Sequence, residues 1–341
     1  MSFRIDPATL AFALPDDRIA QVPSAERDQA RLLVLNRADG AIAHRRFADI
    51  GDYLRAGDVL VLNKARVSKA KLVGKKSTGG KIEVIFLERN NGNGEWKALL
   101  RPPVKDGAAF EAGPGLKLSV KTRLADGEYI LSVVSGDIEW ALTNEGRLPL
   151  PPYIKRRPND PLNALDEREY QTVYATHEGS VAAPTAGLHF SERLLSQLKA
   201  KGVKIVEVLL HVGWGTFKPI MDTIESHRML SERYEVSDEA YAEVVLAKKE
   251  NRRVIAVGTT STRTLESIEA DRLTGGTALF IKPGYQFRRV DALITNLHVP
   301  RSTPVSLTAA FAGLKNLENA YAAAIQENYR FYSYGDAMLV I

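Results

Sequence analysis

The sequence contains no cysteine. That absence excludes a disulfide framework, thiolate-bound zinc, iron–sulfur clusters and a cysteine nucleophile. No stretch approaches the roughly 18 apolar residues of a membrane span. The first residues, MSFRIDPATL, lack the basic start and apolar core of a secretory signal. A cytoplasmic protein without membrane association is therefore expected. P-loop, GxSxG and zincin motifs are missing too, as are internal repeats and low-complexity segments. With no long heptad pattern, a monomer is expected. Six histidines (His44, His177, His189, His211, His227 and His298) leave a histidine-rich metal site conceivable but unsignalled, so no metal is expected.

What is present is ordinary globular composition: 341 residues, 45% apolar and 26% charged. At roughly 150 residues per domain, the length suggests two domains. Residues 31–35 (RLLVL) and 58–62 (DVLVL) have strand length and strand composition. From about residue 67 the texture becomes all-β. The run 81–89 and the run 95–101 flank Asn91-Gly92-Asn93-Gly94, a hairpin signal because such pairs accept positive φ. Further strands are expected at 116–124, 128–134 and 138–142. Beyond Pro149 the pattern alternates again. Ser191 caps a helix that Gly202 ends, 203–212 is a strand, and Ser237 or Asp238 caps a second helix. Then come a strand at 254–257, a helix from about Thr262, an alanine-rich helix over 318–327 and a strand at 338–341. The economical reading is a non-contiguous α/β main domain, residues 1–66 and 148–341, with a small all-β barrel, residues 67–147, inserted in it.

Ligands of open α/β sheets gather where strands end and helices begin. Three segments have that form: Gly179–Phe190 (GSVAAPTAGLHF), His211–Phe217 (HVGWGTF) and Gly258–Arg263 (GTTSTR). Each alone also reads as a plain turn or a hydroxyl-rich helix cap; three in one domain point to a shared pocket. Charge is uneven as well. Seven cations from Lys64 to Lys81 occur with no acidic residue among them, and Lys155-Arg156-Arg157 lies at the other junction of the insertion. Such basic junctions suit a phosphate backbone, or simply a solvated face.

Assembled in order, these segments resemble the S-adenosylmethionine:tRNA ribosyltransferase-isomerase family of queuosine biosynthesis. The resemblance is carried by Leu148-Pro-Leu-Pro-Pro-Tyr153-Ile, Tyr170-Gln-Thr-Val-Tyr174-Ala, the three loops above, Thr295-Asn296-Leu-His298-Val-Pro300, and the stretch from Tyr329 to Leu339. It implies an α/β domain with an inserted β-barrel. It also implies a transferase and isomerase of tRNA modification. The ribosyl part of S-adenosylmethionine, a co-substrate, moves onto 7-aminomethyl-7-deazaguanine in a tRNA anticodon, giving epoxyqueuosine-tRNA, adenine and methionine. The sulfonium acidifies the adjacent 5′ carbon, so the reaction calls for a base, a proton donor for adenine, and donors for the ribose and the carboxylate.

On that resemblance, His189, His211 and His298 are the base or acid candidates. The S-adenosylmethionine contacts would come from Thr185, Ala186, Gly187, Gly213, Gly215, Thr216, Phe217, Thr259, Thr260, Ser261, Arg263 and Tyr334, with Arg263 suited to the carboxylate. Arg66, Lys75, Lys76, Tyr153, Arg156, Tyr174 and Asn296 would serve the tRNA. The chain also departs from the family pattern. It reads Asn63-Lys64-Ala65-Arg66 where Asn-Asp-Thr-Arg or Asn-Asn-Thr-Arg is usual. Leu230 replaces the second histidine of His-x-Met-His-x-Glu, and Ala278 replaces an aspartate. A divergent paralogue or RNA-binding protein, holding tRNA or S-adenosylmethionine with little catalysis, is the alternative.

Overall fold

The computed structural model describes residues 10–90, 94–157, 160–217, 220 and 223–341. A nine-stranded sheet is built around four parallel neighbours: Lys204–Leu210, Val59–Asn63, Val254–Val257 and Ala292–Asn296. Beyond Ala292–Asn296 lie Ala337–Val340, Arg31–Leu35 and Ile42–Arg46; beyond Lys204–Leu210 lie Glu232–Glu235 and Thr274–Thr277. The central strands are apolar on both faces because both faces are covered, the usual condition of parallel sheets. Side chains alternate across the sheet. Val59, Val61, Val206 and Val208 join one core cluster, while Leu60, Leu62, Ile255 and Val257 join the other. Helix Glu192–Ala200 lays Leu194 and Leu198 on the second cluster, and helix Asp238–Lys249 lays Val244 and Ala247 on the first.

Residues 67–150 form a separate compact unit; residues 1–66 and 151–341 form the other. Six antiparallel strands of the smaller unit close into a barrel: Lys71–Lys76, Lys81–Asn90, Glu95–Arg101, Ala109–Glu111, Lys117–Arg123 and Tyr129–Ser135. Closure leaves no edge strand exposed to other chains. Leu72, Val84, Phe86, Leu100, Leu118 and Leu131 are among the side chains that fill it. The fold class expected from the sequence, an α/β domain with a small β-barrel, is the one observed. The expected hairpin pairs antiparallel, although its turn residues Asn91, Gly92 and Asn93 lie outside the described residues.

Two local expectations differ from the structure, and one helix had no counterpart among them. Residues 138–142 are not a strand but the start of helix Ile138–Glu145. The alternation of Ile138, Trp140 and Leu142 mimics a strand, but Asp137 accepts the Trp140 N–H at 2.8 Å and caps a helix. Trp140 is left exposed, and Ile138 and Ala141 pack inward at helical spacing. The helix expected from about Thr262 begins at Gly258, directly after its strand. The sequence reading placed no element at Thr303–Ala312, where the structure has a helix with Pro304 in its first turn. In the first turn a proline lacks only an N–H that has no helical partner, and the Ser302 side chain caps that turn.

Candidate active site

The C-terminal ends of two parallel strands open into a cavity of about 280 Å³. Gly258, Thr259 and Thr260, the first residues of helix Gly258–Ser267, line it beside Thr295 and Asn296, the last residues of strand Ala292–Asn296. The helix therefore turns its unpaired N–H groups and positive dipole end toward the space. Thr185 and Ala186 from the 3₁₀ turn Thr185–His189 contribute another wall, and Tyr153, Tyr332 and Ser333 a further one. Among the described residues, none that lines it is charged. Thr260 Oγ1 is buried without a hydrogen-bond partner.

The aromatic wall is held by its backbone. Tyr332 has φ of 73°, a left-handed conformation that costs free energy for a bulky side chain. Its N–H donates to Leu297 O at 2.8 Å, and its carbonyl accepts Gly335 N–H at 3.0 Å. The ring centroid lies 4.6 Å from that of Tyr153, whose hydroxyl hydrogen-bonds Ser333 Oγ at 2.8 Å. Burial pushes both phenols up, so both rings stay neutral.

Only one of the three candidate histidines lines the cavity. His298 does so, with Nε2 2.6 Å from Thr295 Oγ1 and its backbone N–H donating to Tyr321 Oη at 3.0 Å. His189 lies behind Asn296 against the Phe47 ring, and His211 packs against Gly179 with a buried, unpartnered Nδ1. Burial lowers all three, His189 and His298 to about 3, and the charges of Arg330 and Arg27 add to the effect at His189. The folded chain thus binds these protons less readily than the unfolded chain does. Stability is complete above the unfolded pKa near 6.5 and drains as pH falls toward 3. At pH 5 each of the two costs up to about 2 kcal/mol, at ~1.4 kcal/mol per pKa unit. Urea midpoints at pH 7 and pH 5 should show this drop, and it should shrink in His298→Gln. An equal drop in the variant would assign the pH dependence elsewhere.

With this geometry in view, comparison with known proteins decides the family. Residues 8–340 match the family model described as queuosine biosynthesis protein. The chain belongs to the queuosine biosynthesis protein family. It is 47% identical over 341 residues to an S-adenosylmethionine:tRNA ribosyltransferase-isomerase of Anaeromyxobacter dehalogenans, covering 97% of each chain. A protein of the same name from Staphylococcus haemolyticus is 45% identical, covering 97% of this chain and 98% of that one. The crystal structure of S-adenosylmethionine tRNA ribosyltransferase from Thermotoga maritima is 36% identical. It covers 98% of this chain and 100% of its own, with a TM-score of 0.56.

In this queuosine biosynthesis protein, several residues singled out from sequence lie away from the cavity. Arg263 is buried and pairs with Glu232; its remaining nitrogens donate to Leu279 O at 2.9 Å and Thr277 O at 3.1 Å. Glu232 in turn accepts the Gly213 N–H at 2.7 Å, which ties the 211–217 loop to helix Gly258–Ser267. Gly215 packs against Leu230, and the side chains of Thr216 and Phe217 lie outside the described residues. Ser261 is fully buried with an unpartnered hydroxyl. Arg156 grips Asp166 through two bonds of 2.6 and 2.9 Å, and Tyr334 Oη donates to the same carboxylate at 2.8 Å. Tyr174 packs its hydroxyl against Gly187, where a Cβ would come within 2.0 Å. Arg66 is exposed beside Glu178 at 3.7 Å, and Lys75 and Lys76 stand on a barrel strand. The sequence reading had not singled out Tyr332, Ser333, Thr295 or Ser302 as site residues, yet all four line the cavity. The positive φ that places Tyr332 leaves no signature in its sequence.

Proposed function

We propose that the protein transfers and isomerises the ribosyl moiety of S-adenosylmethionine onto 7-aminomethyl-7-deazaguanine in tRNA, releasing adenine and methionine. The observation that carries this reading is the end-to-end match, at 45–47% identity, to relatives named for that activity. The divergent-paralogue alternative is not favoured, because the relatives matched end to end carry the name of the catalytic enzyme.

The cavity takes the adenosyl group. Its size is near the lower end of small-molecule sites, about 300–1,000 Å³. The flat faces of Tyr153 and Tyr332 suit a purine, and the helix N-terminus with Thr259 and Thr260 supplies donors to ligand oxygens. His298 is the candidate for proton transfer. It is the one candidate histidine that lines the cavity; burial keeps its imidazole neutral and lowers its basicity, so proton transfer there calls for a ligand that raises it. Lys75, Lys76 and Arg66 are assigned to the RNA backbone. The reading calls on no metal, since a sulfonium is already activated to depart. We assign the protein to the cytoplasm as a monomer; no helix among the described residues is long and apolar enough to cross a membrane.

The direct test incubates the protein with S-adenosylmethionine and tRNA carrying the aminomethyl-deazaguanine. Release of adenine and methionine, with an epoxy-cyclopentanediol mass gain on the tRNA, is expected. Adenine at the level of an enzyme-free blank, at high protein concentration, would sink the reading. RNA retention without turnover would favour the binding-protein alternative.

A further inference from the structure

The hydrogen-bond pattern around Asn296 fixes what that residue can offer a ligand. Asn296 is 2% exposed and lines the cavity at the end of its strand. One of its amide groups faces the Tyr332 carbonyl at 3.4 Å. A carbonyl only accepts, so the amide nitrogen must be on that side; the reverse assignment would set two oxygens against each other. The same nitrogen lies 3.1 Å from His189 Nε2, so Nε2 must accept, and the His189 proton is on Nδ1. Both amide hydrogens of Asn296 are then engaged. Its Oδ1 accepts from Thr185 Oγ1 at 2.9 Å, which commits the Thr185 hydrogen as well. Thr185 also lines the cavity. What remains on these two neighbouring side chains is lone pairs alone.

We propose that Thr185 and Asn296 form an acceptor-only edge that binds the vicinal diol of the ligand's ribose, and that His189 is the positioning residue that holds Asn296 in this orientation. Two adjacent acceptors match two adjacent hydroxyl donors. They reject a ligand edge that offers acceptors, because like polar groups would be desolvated against each other. His189 is placed for this role and not for proton abstraction. It is 4% exposed, lies outside the cavity lining, and has its one acceptor nitrogen occupied by Asn296. Burial between the Phe47 ring and the strand end keeps the imidazole neutral, which preserves that acceptor across the physiological range. An exocyclic amine on the base could offer paired donors too, and the experiment separates the two sources.

The proposal deepens the nucleoside reading above, so its test measures binding without tRNA or turnover. Calorimetry with the intact protein would compare S-adenosylmethionine with its 2′-deoxy, 3′-deoxy and 6-unsubstituted purine counterparts. Each deoxy ligand should bind at least about fivefold more weakly, the lower end of leaving a buried polar group unpaired. The 6-unsubstituted purine should bind within about twofold of the parent, by the same scale. Loss with the 6-unsubstituted purine and indifference to the diol would overturn the assignment. His189→Leu should weaken the parent about tenfold and lessen the deoxy penalty, because only the 3.4 Å contact to the Tyr332 carbonyl and the bond from Thr185 then hold Asn296 in place. His189→Gln, whose side-chain oxygen can accept from Asn296, should recover most of that affinity and the penalty with it. A purely structural histidine would not move the deoxy penalty. A Gln variant that binds normally but loses turnover ~100-fold or more would instead make His189 an acid or base and overturn its positioning role. No binding of S-adenosylmethionine by the wild type would overturn both this inference and the proposed function.

Discussion

Arg263→Ala is expected to destabilise the fold by about 3–5 kcal/mol, the usual cost of stranding one member of a buried ion pair. The Arg263 and Glu232 side chains are only 6% and 3% exposed. Removing the guanidinium leaves a carboxylate in a place water cannot reach. It also strands two carbonyls, Thr277 O and Leu279 O, on the neighbouring segment. The effect should therefore register in urea denaturation before any ligand is added. Replacing both partners, Arg263→Met with Glu232→Met, should recover part of the loss, because the carboxylate is then not buried without the guanidinium; recovery will be incomplete, since Glu232 has further partners, the Gly213 N–H among them. A single variant as stable as wild type, with binding of S-adenosylmethionine lost, would mean that the guanidinium serves the ligand directly. In the structure its nitrogens are already engaged by protein, so the stability loss should come first.

The second large effect is expected at Gly335→Ala. An added Cβ would lie 2.5 Å from Arg330 O, 2.5 Å from Phe331 C and 2.7 Å from Phe331 O. All three are backbone atoms, so no side chain can move aside. They belong to a tight turn closed by Asp336 N–H to Arg330 O at 2.8 Å and Arg330 N–H to Asp336 Oδ2 at 2.7 Å. Relief requires opening that turn, at a cost of about 1–3 kcal/mol or more. The turn carries Tyr332 and Ser333 into the cavity, so S-adenosylmethionine affinity should fall by at least about tenfold, or ~1.4 kcal/mol. Thermal denaturation and calorimetry on the same sample would check both halves. Unchanged affinity in a folded Gly335→Ala protein would mean that this wall does not contact the ligand.

Much of the fold was legible because the central strands are continuous apolar runs bounded by turn residues. Residues 254–257 and 59–63 could hardly be anything else once Gly258 and the 55–58 turn flank them. The edge strands Glu232–Glu235 and Thr274–Thr277 were not legible. ERYE and TGGT pair only because a neighbouring strand offers its edge, and no local preference announces that. Site residues followed the same division. Thr185, Thr259, Thr260, Asn296 and His298 follow strand ends in loops rich in small and hydroxyl side chains, and the structure gathers them around one cavity. Arg156, Arg263 and Tyr334 were equally prominent in sequence, yet each is taken up by a carboxylate of the protein itself. Residue type shows what a guanidinium can bind; only the folded chain shows which carboxylate reaches it first.

The lack of charged side chains in the described lining of the cavity bears on how it would weigh charged nucleosides. Cells hold nucleoside triphosphates with the same purine and ribose as the proposed ligand. Their phosphates carry several negative charges that must be paired when they leave water. Among the described residues no lysine or arginine faces the cavity to meet them. If the cavity is the nucleoside site, the N–H groups at the start of helix Gly258–Ser267 are what offsets such charges there, and the missing side-chain counter-charges then weigh against these competitors without a blocking group.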